Sequence, residues 1–384
     1  MTKATPNPVE YTYGARNTGS TAHSIPHPEP ISAITVHIAG LLVTVFGLSE
    51  LPPPSETTCV SALWLLHPRL QTKACMAPFG AHLITEWNTH RKKKSRQRGL
   101  IAISFDQRNH GSRLVSPLAN EAWRSGNDKH ALDMYSSYAG TAADTSLLLD
   151  YLPGYIFPHS ERTIDHNIVL GISLGGHAAW HVIMQDPRFS AAIPVIGCPD
   201  YARLMADRAR LSKRKHWLET QGRHFLGSPD FPPSLLEILR RTDPASLVAS
   251  CLRDTPREQA WSVLEDTDGD KAALAPLMAR CFGNKRILVL SGGADKLVSY
   301  AHSKPFLDWL KGSAAEGGWF AGGGLHLEDY VYEGIGHEVP GTMVAQMVKF
   351  VNETLDTTST ESHFSLGSTV GVFQQHGKVG DSKI

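Results

Sequence analysis

Gly171-Ile172-Ser173-Leu174-Gly175 follows the apolar run Ile168-Val169-Leu170 and precedes a helix-compatible run at 177–185. The stretch has the form G-x-S-x-G, with a serine between a predicted strand and a predicted helix. A turn this sharp strains the serine backbone, so the residues two positions before and after it must be very small. Glycine at 171 and 175 meets that demand. Short patterns of this kind also occur by chance, and it is the flanking strand and helix that make this one informative.

Strand and helix patterns alternate outward from this turn. Helices are predicted at 78–98, 130–151, 177–185, 295–311 and 342–355. Strands are predicted at 60–66, 100–105, 168–170, 192–196, 286–290 and 328–332, and a pair of antiparallel strands at 31–51 joins near Gly40. Most of these strands are continuously apolar, which is typical of a parallel sheet buried on both faces. The expected fold is therefore α/β, with a mainly parallel sheet flanked by helices.

The domain organisation follows from where this alternation stops. From 201 to 283 the chain is charged and helical in propensity, without a strand pattern, and an insertion of this size is expected to form a helical cap. Residues 356–384 are polar and predicted to be disordered, and residues 1–30 are interpreted as an arm with little structure. The expected parts are an arm at 1–30, a core at 31–200 and 284–355, a cap at 201–283 and a tail at 356–384.

Polar residues follow many of the predicted strands, and the ends of parallel strands are where reactive groups gather. The residues in such positions are His67, Asp106, Ser173, Asp200, Asp295 and His337. A serine hydroxyl needs an adjacent base to become a nucleophile, and that base needs a partner to hold its tautomer. Ser173, His337 and Asp295 supply the nucleophile, the base and the orienting acid. Asp200 is the competing candidate for the acid.

The negative charge that develops on an attacked carbonyl needs donors aimed at it in advance. One expected donor is the backbone N–H of Leu174, directly after the serine. The second is expected after His67. Because Pro68 has no N–H, Arg69 is the first candidate and Leu70 the second. His67 and Leu70 are also expected to contact the substrate.

These motifs resemble those of the α/β-hydrolase superfamily over about residues 31–200 and 284–355. The similarity lies in the serine turn, in Gly292-Gly293-Ala294-Asp295, and in Gly334-Ile335-Gly336-His337 after the last strand. Residues 106–112 also resemble the D-x-R-G-H-G-x-S loop of the family, with Asn109 in place of a glycine. The resemblance implies an eight-stranded sheet, serine hydrolase chemistry, and neither a metal nor an organic cofactor. His67-Pro68 departs from the usual His-Gly.

Other residues allow different interpretations. His177 and His181 are four apart on a helix, as in HExxH zinc sites, but Ala178 occupies the position of the catalytic glutamate, so metal binding is not expected. Asp106, Arg108 and His110 could touch substrate, although a hydrogen-bonded turn that braces the serine turn is the favoured interpretation.

Charge and cysteine usage limit the partners and the compartment. Lys plus Arg and Asp plus Glu both number 37, so no global field favours nucleic acid. The region 31–51 is apolar but alternates as strands do, so no membrane span is expected. Five cysteines without CxxC spacing predict free thiols and a cytoplasmic location. The terminal Ser382-Lys383-Ile384 approximates a peroxisomal signal, which is the alternative.

The expected function is therefore a serine hydrolase that cleaves an ester, lactone or thioester bond of a small or medium apolar substrate. Two alternatives stay open: an acyltransferase using the same three residues, and a non-catalytic protein that binds a small molecule on the same scaffold. Nothing in the sequence predicts the oligomeric state.

Overall fold

A central β-sheet organises the molecule. The computed structural model describes residues 7–10, 12–13, 25–94, 98–251 and 268–361. Within them, one eight-stranded sheet has the spatial order β1-β2-β4-β3-β5-β6-β7-β8. Its strands are β1 (Ala33–Ile38), β2 (Leu41–Phe46), β3 (Cys59–Leu66), β4 (Gly99–Phe105), β5 (Thr163–Ile172), β6 (Phe189–Val195), β7 (Arg286–Gly292) and β8 (His326–Tyr332).

Strand β2 runs opposite to the other seven strands of this sheet. β1 pairs with β2 and β2 with β4 in antiparallel fashion, whereas every later pairing is parallel. The central strands are buried along their length, while β1 at the edge exposes most of its residues. This distribution matches the continuous apolar runs of the inner strands. The predicted fold class, a mainly parallel eight-stranded sheet flanked by helices, is confirmed.

Helices cover both faces of the sheet. They are α1 (Ala77–Lys93), α2 (His130–Ile156), α3 (Leu174–Gln185), α4 (Tyr201–Leu211), α5 (Lys215–Thr220), α6 (Pro233–Thr242), α7 (Pro244–Ser250), α8 (Asp268–Phe282), α9 (Tyr300–Ala314) and α10 (Gly341–Glu361). Short 3-10 helices lie at Lys73–Met76, Gly111–Arg113, Pro117–Asn120, Trp123–Ser125 and Ala321–Gly323. α1 and α10 pack on one face, and α2, α3, α8 and α9 pack on the other.

Strand β3 shows how the two faces share the core. Its side chains alternate, so Trp64 and Leu66 pack with α2 and α3, while Leu63 and Leu65 pack with α1. All four are fully buried. The sheet therefore holds its strand ends rigidly, and the loops that leave those ends carry the candidate site.

Several element boundaries differ from the sequence-based expectation, and three of these differences lengthen β5, α2 and α10. β5 begins at Thr163, because the polar residues before the apolar run also pair with β3. α2 continues to Ile156 and contains Pro153 in its last turn. α10 continues to Glu361, so the first residues of the expected disordered tail are helical. The rest of that tail, including Ser382-Lys383-Ile384, lies outside the described residues.

The segment at 201–283 is helical where the structure describes it, and residues 252–267 fall outside the description. It contains α4 to α8, and several of its apolar side chains join the core cluster formed by α2 and α3. Those that are fully buried include Tyr201, Phe225, Phe231 and Leu239. Its role as a cap stays a prediction.

The described part of the N-terminal arm packs on the core, which the interpretation as a little-structured arm did not anticipate. The Val339 N–H donates to the Pro8 carbonyl over 3.0 Å, and the Thr12 hydroxyl donates to the Val339 carbonyl over 2.9 Å. Tyr13 is buried and meets Phe79 edge-on, with ring centroids 5.1 Å apart. An aromatic side chain and two hydrogen bonds thus attach the arm close to His337.

Two further expectations can be compared with the described residues. All five cysteines are free, as predicted, and Cys198 and Cys281 are buried. No helix in the described ranges has the length and apolar character that crossing a bilayer requires.

Candidate active site

The serine turn between β5 and α3 has the strained geometry that its sequence predicts. Ser173 has φ 56° and ψ −111°, a conformation that residues with a Cβ rarely adopt. A Cβ on Gly171 would collide with the carbonyl of Gly175, and a Cβ on Gly175 would collide with the carbonyl of Leu66. The Ser173 N–H donates to the Val195 carbonyl over 2.9 Å, which ties the turn to β6. The close packing at Gly171 and Gly175 and the bond to Val195 therefore fix the Ser173 hydroxyl at the end of the sheet.

Three side chains from separate strand ends meet at this hydroxyl. Ser173 Oγ lies 2.9 Å from His337 Nε2, and His337 Nδ1 lies 2.7 Å from Asp295 Oδ2. The other carboxylate oxygen of Asp295 accepts the N–H groups of Leu297 and Val298 over 2.8 and 2.9 Å. The structure thus brings together the nucleophile, base and acid that the sequence analysis named.

The electrostatics of Asp295 determine where the imidazole proton sits. Burial alone would raise the pKa of this carboxyl, but the hydrogen bond and charge of His337 and the two backbone N–H groups outweigh burial and lower it. An ionised carboxylate can only accept hydrogen bonds. His337 Nδ1 therefore carries the proton, and the lone pair on Nε2 faces the serine hydroxyl. This is the arrangement that a general base requires.

Asp200, the competing acid, has a different place in the structure. It is the N-cap of α4, and its Oδ1 accepts the Arg203 N–H over 3.0 Å. The Arg203 guanidinium lies 3.4 Å from its other oxygen. The carboxylate that hydrogen-bonds His337 is that of Asp295.

The two residues expected to donate to the oxyanion, Leu174 and Arg69, both belong to the cleft that contains Ser173. Leu174 is the first residue of α3, and the first N–H groups of a helix have no acceptor within it. Leu174 and Arg69 both line the cleft in front of Ser173. Leu70 has φ 64° and a side chain that is 40% exposed, and it is not among the described residues that line the cleft.

His67 serves a structural role rather than facing the cleft. Its ring is fully buried, Nε2 accepts the Gln107 N–H over 2.9 Å, and Nδ1 lies 2.8 Å from the Pro68 carbonyl. Burial lowers the pKa of His67 to about 4, so the ring is neutral at pH 7. With both nitrogens occupied, His67 joins two loops, which differs from the substrate contact expected from the sequence.

The cleft contains residues that the sequence analysis did not single out. Beside Arg69, Ser173, Leu174 and His337, its walls are Pro8, Met134, Arg208 and Leu297. Pro8 comes from the N-terminal arm, Met134 from α2 and Arg208 from α4. No motif marks these residues, because they reach the cleft only through the packing of distant elements. Of these four residues, only Leu297 lies near a motif, because it follows Asp295 by two residues.

Residues 106–112 form a hydrogen-bonded turn that contacts Lys73 and α2, and its role as a brace of the serine turn stays a prediction. Asp106 accepts the N–H groups of Lys73 and Ser112 over 2.8 and 2.9 Å, and it also accepts the Ser112 hydroxyl. Arg108 forms an ion pair with Asp144 on α2 at 2.8 Å. Asn109 has φ 60°, in the left-handed region that asparagine tolerates better than most residues. That tolerance explains why asparagine can stand where the D-x-R-G-H-G-x-S loop has its first glycine.

His177 and His181, the pair with zinc-like spacing, point into the core behind the serine turn. His177 Nδ1 accepts the Cys198 N–H over 3.1 Å, and its ring stacks on Tyr138 with centroids 5.3 Å apart. Burial lowers the pKa of each histidine to about 3. Among the described residues, no three His, Cys, Asp or Glu side chains form a group that could hold a metal ion.

Comparison with known proteins gives structural similarity only. No protein-family model matches the chain, and no curated protein sequence matches it. TT1662 from Thermus thermophilus is 18% identical, with a TM-score of 0.49 over 85% of this chain and 99% of that chain. The Pyrococcus furiosus esterase Pf2001 is 12% identical, with a TM-score of 0.41 over 90% and 96%. An arylesterase is 12% identical, with a TM-score of 0.43 over 86% and 85%. All three TM-scores are below 0.5, so these similarities support no conclusion about the site described above.

Proposed function

We propose that this chain, which has the α/β-hydrolase fold, is a serine hydrolase that cleaves an ester-type bond through an acyl-enzyme on Ser173. The observation that carries the proposal is the unbroken chain of hydrogen bonds from Ser173 through His337 to the carboxylate of Asp295. One nitrogen of His337 meets the hydroxyl of a serine with a strained backbone, and the other meets a carboxylate. This combination is what nucleophilic catalysis by serine needs.

In the first half of the reaction, Ser173 Oγ attacks the acyl carbon while His337 Nε2 takes the hydroxyl proton. Asp295 then faces an imidazolium, and its negative charge stabilises that cation. The tetrahedral intermediate collapses when the C–O bond to the leaving alcohol breaks. His337 hands its proton to the departing oxygen, and the acyl group stays on Ser173.

The carbonyl oxygen gains negative charge during each attack and needs donors that are already in place. The Leu174 N–H is suited to this role because it lies directly after the nucleophile at the start of α3. The Arg69 N–H is the proposed second donor, from the loop that follows β3. Loss of one such donor costs about 3–4 kcal/mol in other serine hydrolases.

In the second half, water takes the place of the alcohol. His337 removes a proton from the water, which attacks the acyl carbon, and then returns that proton to Ser173 as the acid leaves. Met134, Leu174 and Leu297 form the apolar part of the cleft walls. We propose that an apolar acyl or alcohol group of the substrate contacts these side chains.

A fluorophosphonate probe tests the proposal, because it phosphonylates only an activated serine. We expect the probe to label the wild-type protein at Ser173, and Ser173→Ala to remain unlabelled. Replacing His337 by Gln should slow the labelling because the base is lost. An unlabelled wild-type protein of native circular dichroism would overturn the proposal and favour a binding protein on this scaffold.

A further inference from the structure

Two arginine side chains from different elements line the cleft that holds the serine. Arg69 comes from the loop after β3, and Arg208 comes from α4, within the segment predicted to be a cap. Both contribute to the same walls as Ser173 and His337. The reaction proposed above uses the backbone of Arg69 and uses nothing from Arg208, so neither guanidinium has a role in it.

In the described part of the chain, the hydrogen-bond partners of the Arg208 guanidinium are all neutral groups. Its Nη2 donates to the Leu297 carbonyl over 3.1 Å, and Nη1 lies 2.9 Å from Met134 Sδ and 3.5 Å from His130 Nε2. Its Nε is buried and has no hydrogen-bond partner in the described part of the chain. In the same described ranges, no Asp or Glu oxygen lies within 4.0 Å of its nitrogens.

His130 does not offset this charge. Burial, together with the charges of Arg208 and Arg69, lowers the pKa of His130 well below its usual value, so its ring is neutral. Arg69 is itself buried, and its Nη1 donates to the Asn120 carbonyl over 2.6 Å. Burial and the charge of Arg208 lower the pKa of Arg69 to about 10, which still leaves it protonated at pH 7. Two cationic side chains therefore line the cleft, with the carboxylate of Asp295 acting on Arg208 and that of Glu121 acting on Arg69.

Positive charge removed from water is costly unless an anion or a full set of acceptors compensates for it. Arginine is the side chain best suited to bind a planar carboxylate, because its donors form a fixed fork. An anion in the cleft would meet Arg208 directly and would also interact with Arg69.

We infer that the substrate carries a carboxylate in addition to the bond that is cleaved, and that Arg208, with Arg69 beside it, binds this carboxylate next to Ser173. The inference rests on the proposed function, since it assigns the substrate class of the same site. The apolar walls would then hold the chain between the ester and the carboxylate. Arg208 sets specificity on this account and takes no part in the chemical step.

A purely structural role for Arg208 is the rival explanation, because its bond to the Leu297 carbonyl ties α4 to the loop after Asp295. The two explanations differ in what a substitution does to substrate preference. A structural arginine affects all esters alike. A carboxylate-binding arginine affects only the ratio between charged and neutral esters.

Matched pairs of esters measure that ratio. One set places the charge in the acyl part: mono-4-nitrophenyl esters of glutarate, adipate, pimelate and suberate, against the 4-nitrophenyl esters of pentanoate to octanoate. The other set places it in the alcohol: acetate esters of carboxyphenols, against the corresponding carboxamides. Spontaneous hydrolysis is subtracted for each ester.

In at least one set, we expect the wild-type protein to favour the charged ester by about tenfold or more in kcat/KM, which corresponds to about 1.4 kcal/mol. Arg208→Gln should reduce that ratio to about one, and Arg208→Lys should retain part of it. Arg210→Gln is the matched control, because Arg210 is on the same helix, exposed, and paired with Asp207 at 2.6 Å. It should leave the ratio unchanged.

The outcomes separate this inference from the proposed function. A wild-type protein that is labelled by the fluorophosphonate probe but favours the neutral ester in both sets would overturn the inference alone. A ratio that survives in Arg208→Gln would overturn it as well. If the probe labels Ser173 but no ester turns over, protection is the readout: glutarate should slow labelling of the wild type and not of Arg208→Gln, and no protection would contradict the inference.

Discussion

His337, at the end of the sheet, differs in one hydrogen-bond partner from His67 and His177, which lie inside the core. That partner determines whether the ring is suited to proton transfer. His337 has the carboxylate of Asp295 on Nδ1 and the hydroxyl of Ser173 on Nε2. His67 and His177 are hydrogen-bonded to backbone groups, and burial lowers the pKa of each. The first arrangement suits the proposed transfer of a proton to and from the ring, whereas the second keeps the ring neutral.

The difference shows that the residue type alone says little about function. The chain contains 19 histidines, and several of them follow strands or lie close to the serine turn. A buried imidazole without a hydrogen-bonded carboxylate stays neutral because charging it means removing an ion from water. A carboxylate that is hydrogen-bonded to the ring compensates for that cost. An imidazolium can then form for the short time that a reaction needs it.

The largest expected effect comes from removing a member of the catalytic arrangement. Ser173→Ala or His337→Ala should lower kcat about 10⁶-fold, because the two groups act as a unit. The double variant should be no worse than either single one. His181→Gln is the core counterpart, since His181 lies on α3, directly after the serine turn, but bonds to Gln185. We expect it to keep kcat within about tenfold of the wild type, measured on a 4-nitrophenyl ester. A loss of similar size in His181→Gln would break the comparison.

The next effect concerns the carboxylate that distinguishes the two kinds of histidine. Asp295→Asn should lower kcat about 10⁴-fold, because the amide no longer enforces the proton on Nδ1 of His337. Asp200→Asn should change kcat little, since asparagine can still cap α4 by accepting the Arg203 N–H. The reverse order of the two effects would assign the acid to Asp200.

The core histidines should appear in the pH dependence of stability. The pKa of His67 is about 6.5 in the unfolded chain and about 4 in the folded protein, so the unfolded state binds more protons between these values. Its contribution is fully present above about pH 6.5 and is lost as the pH falls toward 4. The expected loss is about 3 kcal/mol. His177 and His181 should extend the decline to lower pH, because the pKa of each is about 3.

Urea unfolding at a series of pH values measures this loss. His67→Gln should flatten the decline between pH 6.5 and 4, even if the variant is less stable at neutral pH. A free energy of unfolding that stays constant over this range would mean that the ring is protonated in the folded protein.

The smallest expected effect lies in the loop that holds His67. The Gln107 N–H that fixes this ring belongs to the same turn as Asn109, whose side chain accepts the N–H groups of Val115 and Ser116. Asn109→Gly and Asn109→Ala lose the same hydrogen bonds, but only alanine is strained at φ 60°. Asn109→Ala should therefore be about 1 kcal/mol less stable than Asn109→Gly, as measured by thermal unfolding. Equal stabilities would show that the loop relaxes.

The sequence predicts the sheet and the meeting of Ser173, Asp295 and His337 because both depend on local patterns. Apolar runs define the strands, and parallel strands place their ends at one edge, where Ser173, Asp295 and His337 then meet. The sequence also indicates the role of the glycines at 171 and 175, because the serine turn leaves no room for a Cβ at either position.

What the sequence did not predict comes from contacts between distant elements. Arg208 is one of many charged residues in a helical segment, and nothing local distinguishes it from Arg210, which is exposed. Pro8 reaches the cleft because Thr12 and Tyr13 attach the arm to the core. His67 follows a strand as the other site residues do, but its fully buried ring turns away from the cleft.

The most direct test of the account is to trap the acyl-enzyme. Mixing the wild-type protein with 4-nitrophenyl acetate, quenching in acid and mapping the peptides by mass should show one acetyl group on Ser173, after a burst of nitrophenol equal to the enzyme concentration. Acetylation at another residue in the native protein, or turnover with no burst and no acetyl group on Ser173 when deacylation is slowed, would contradict it.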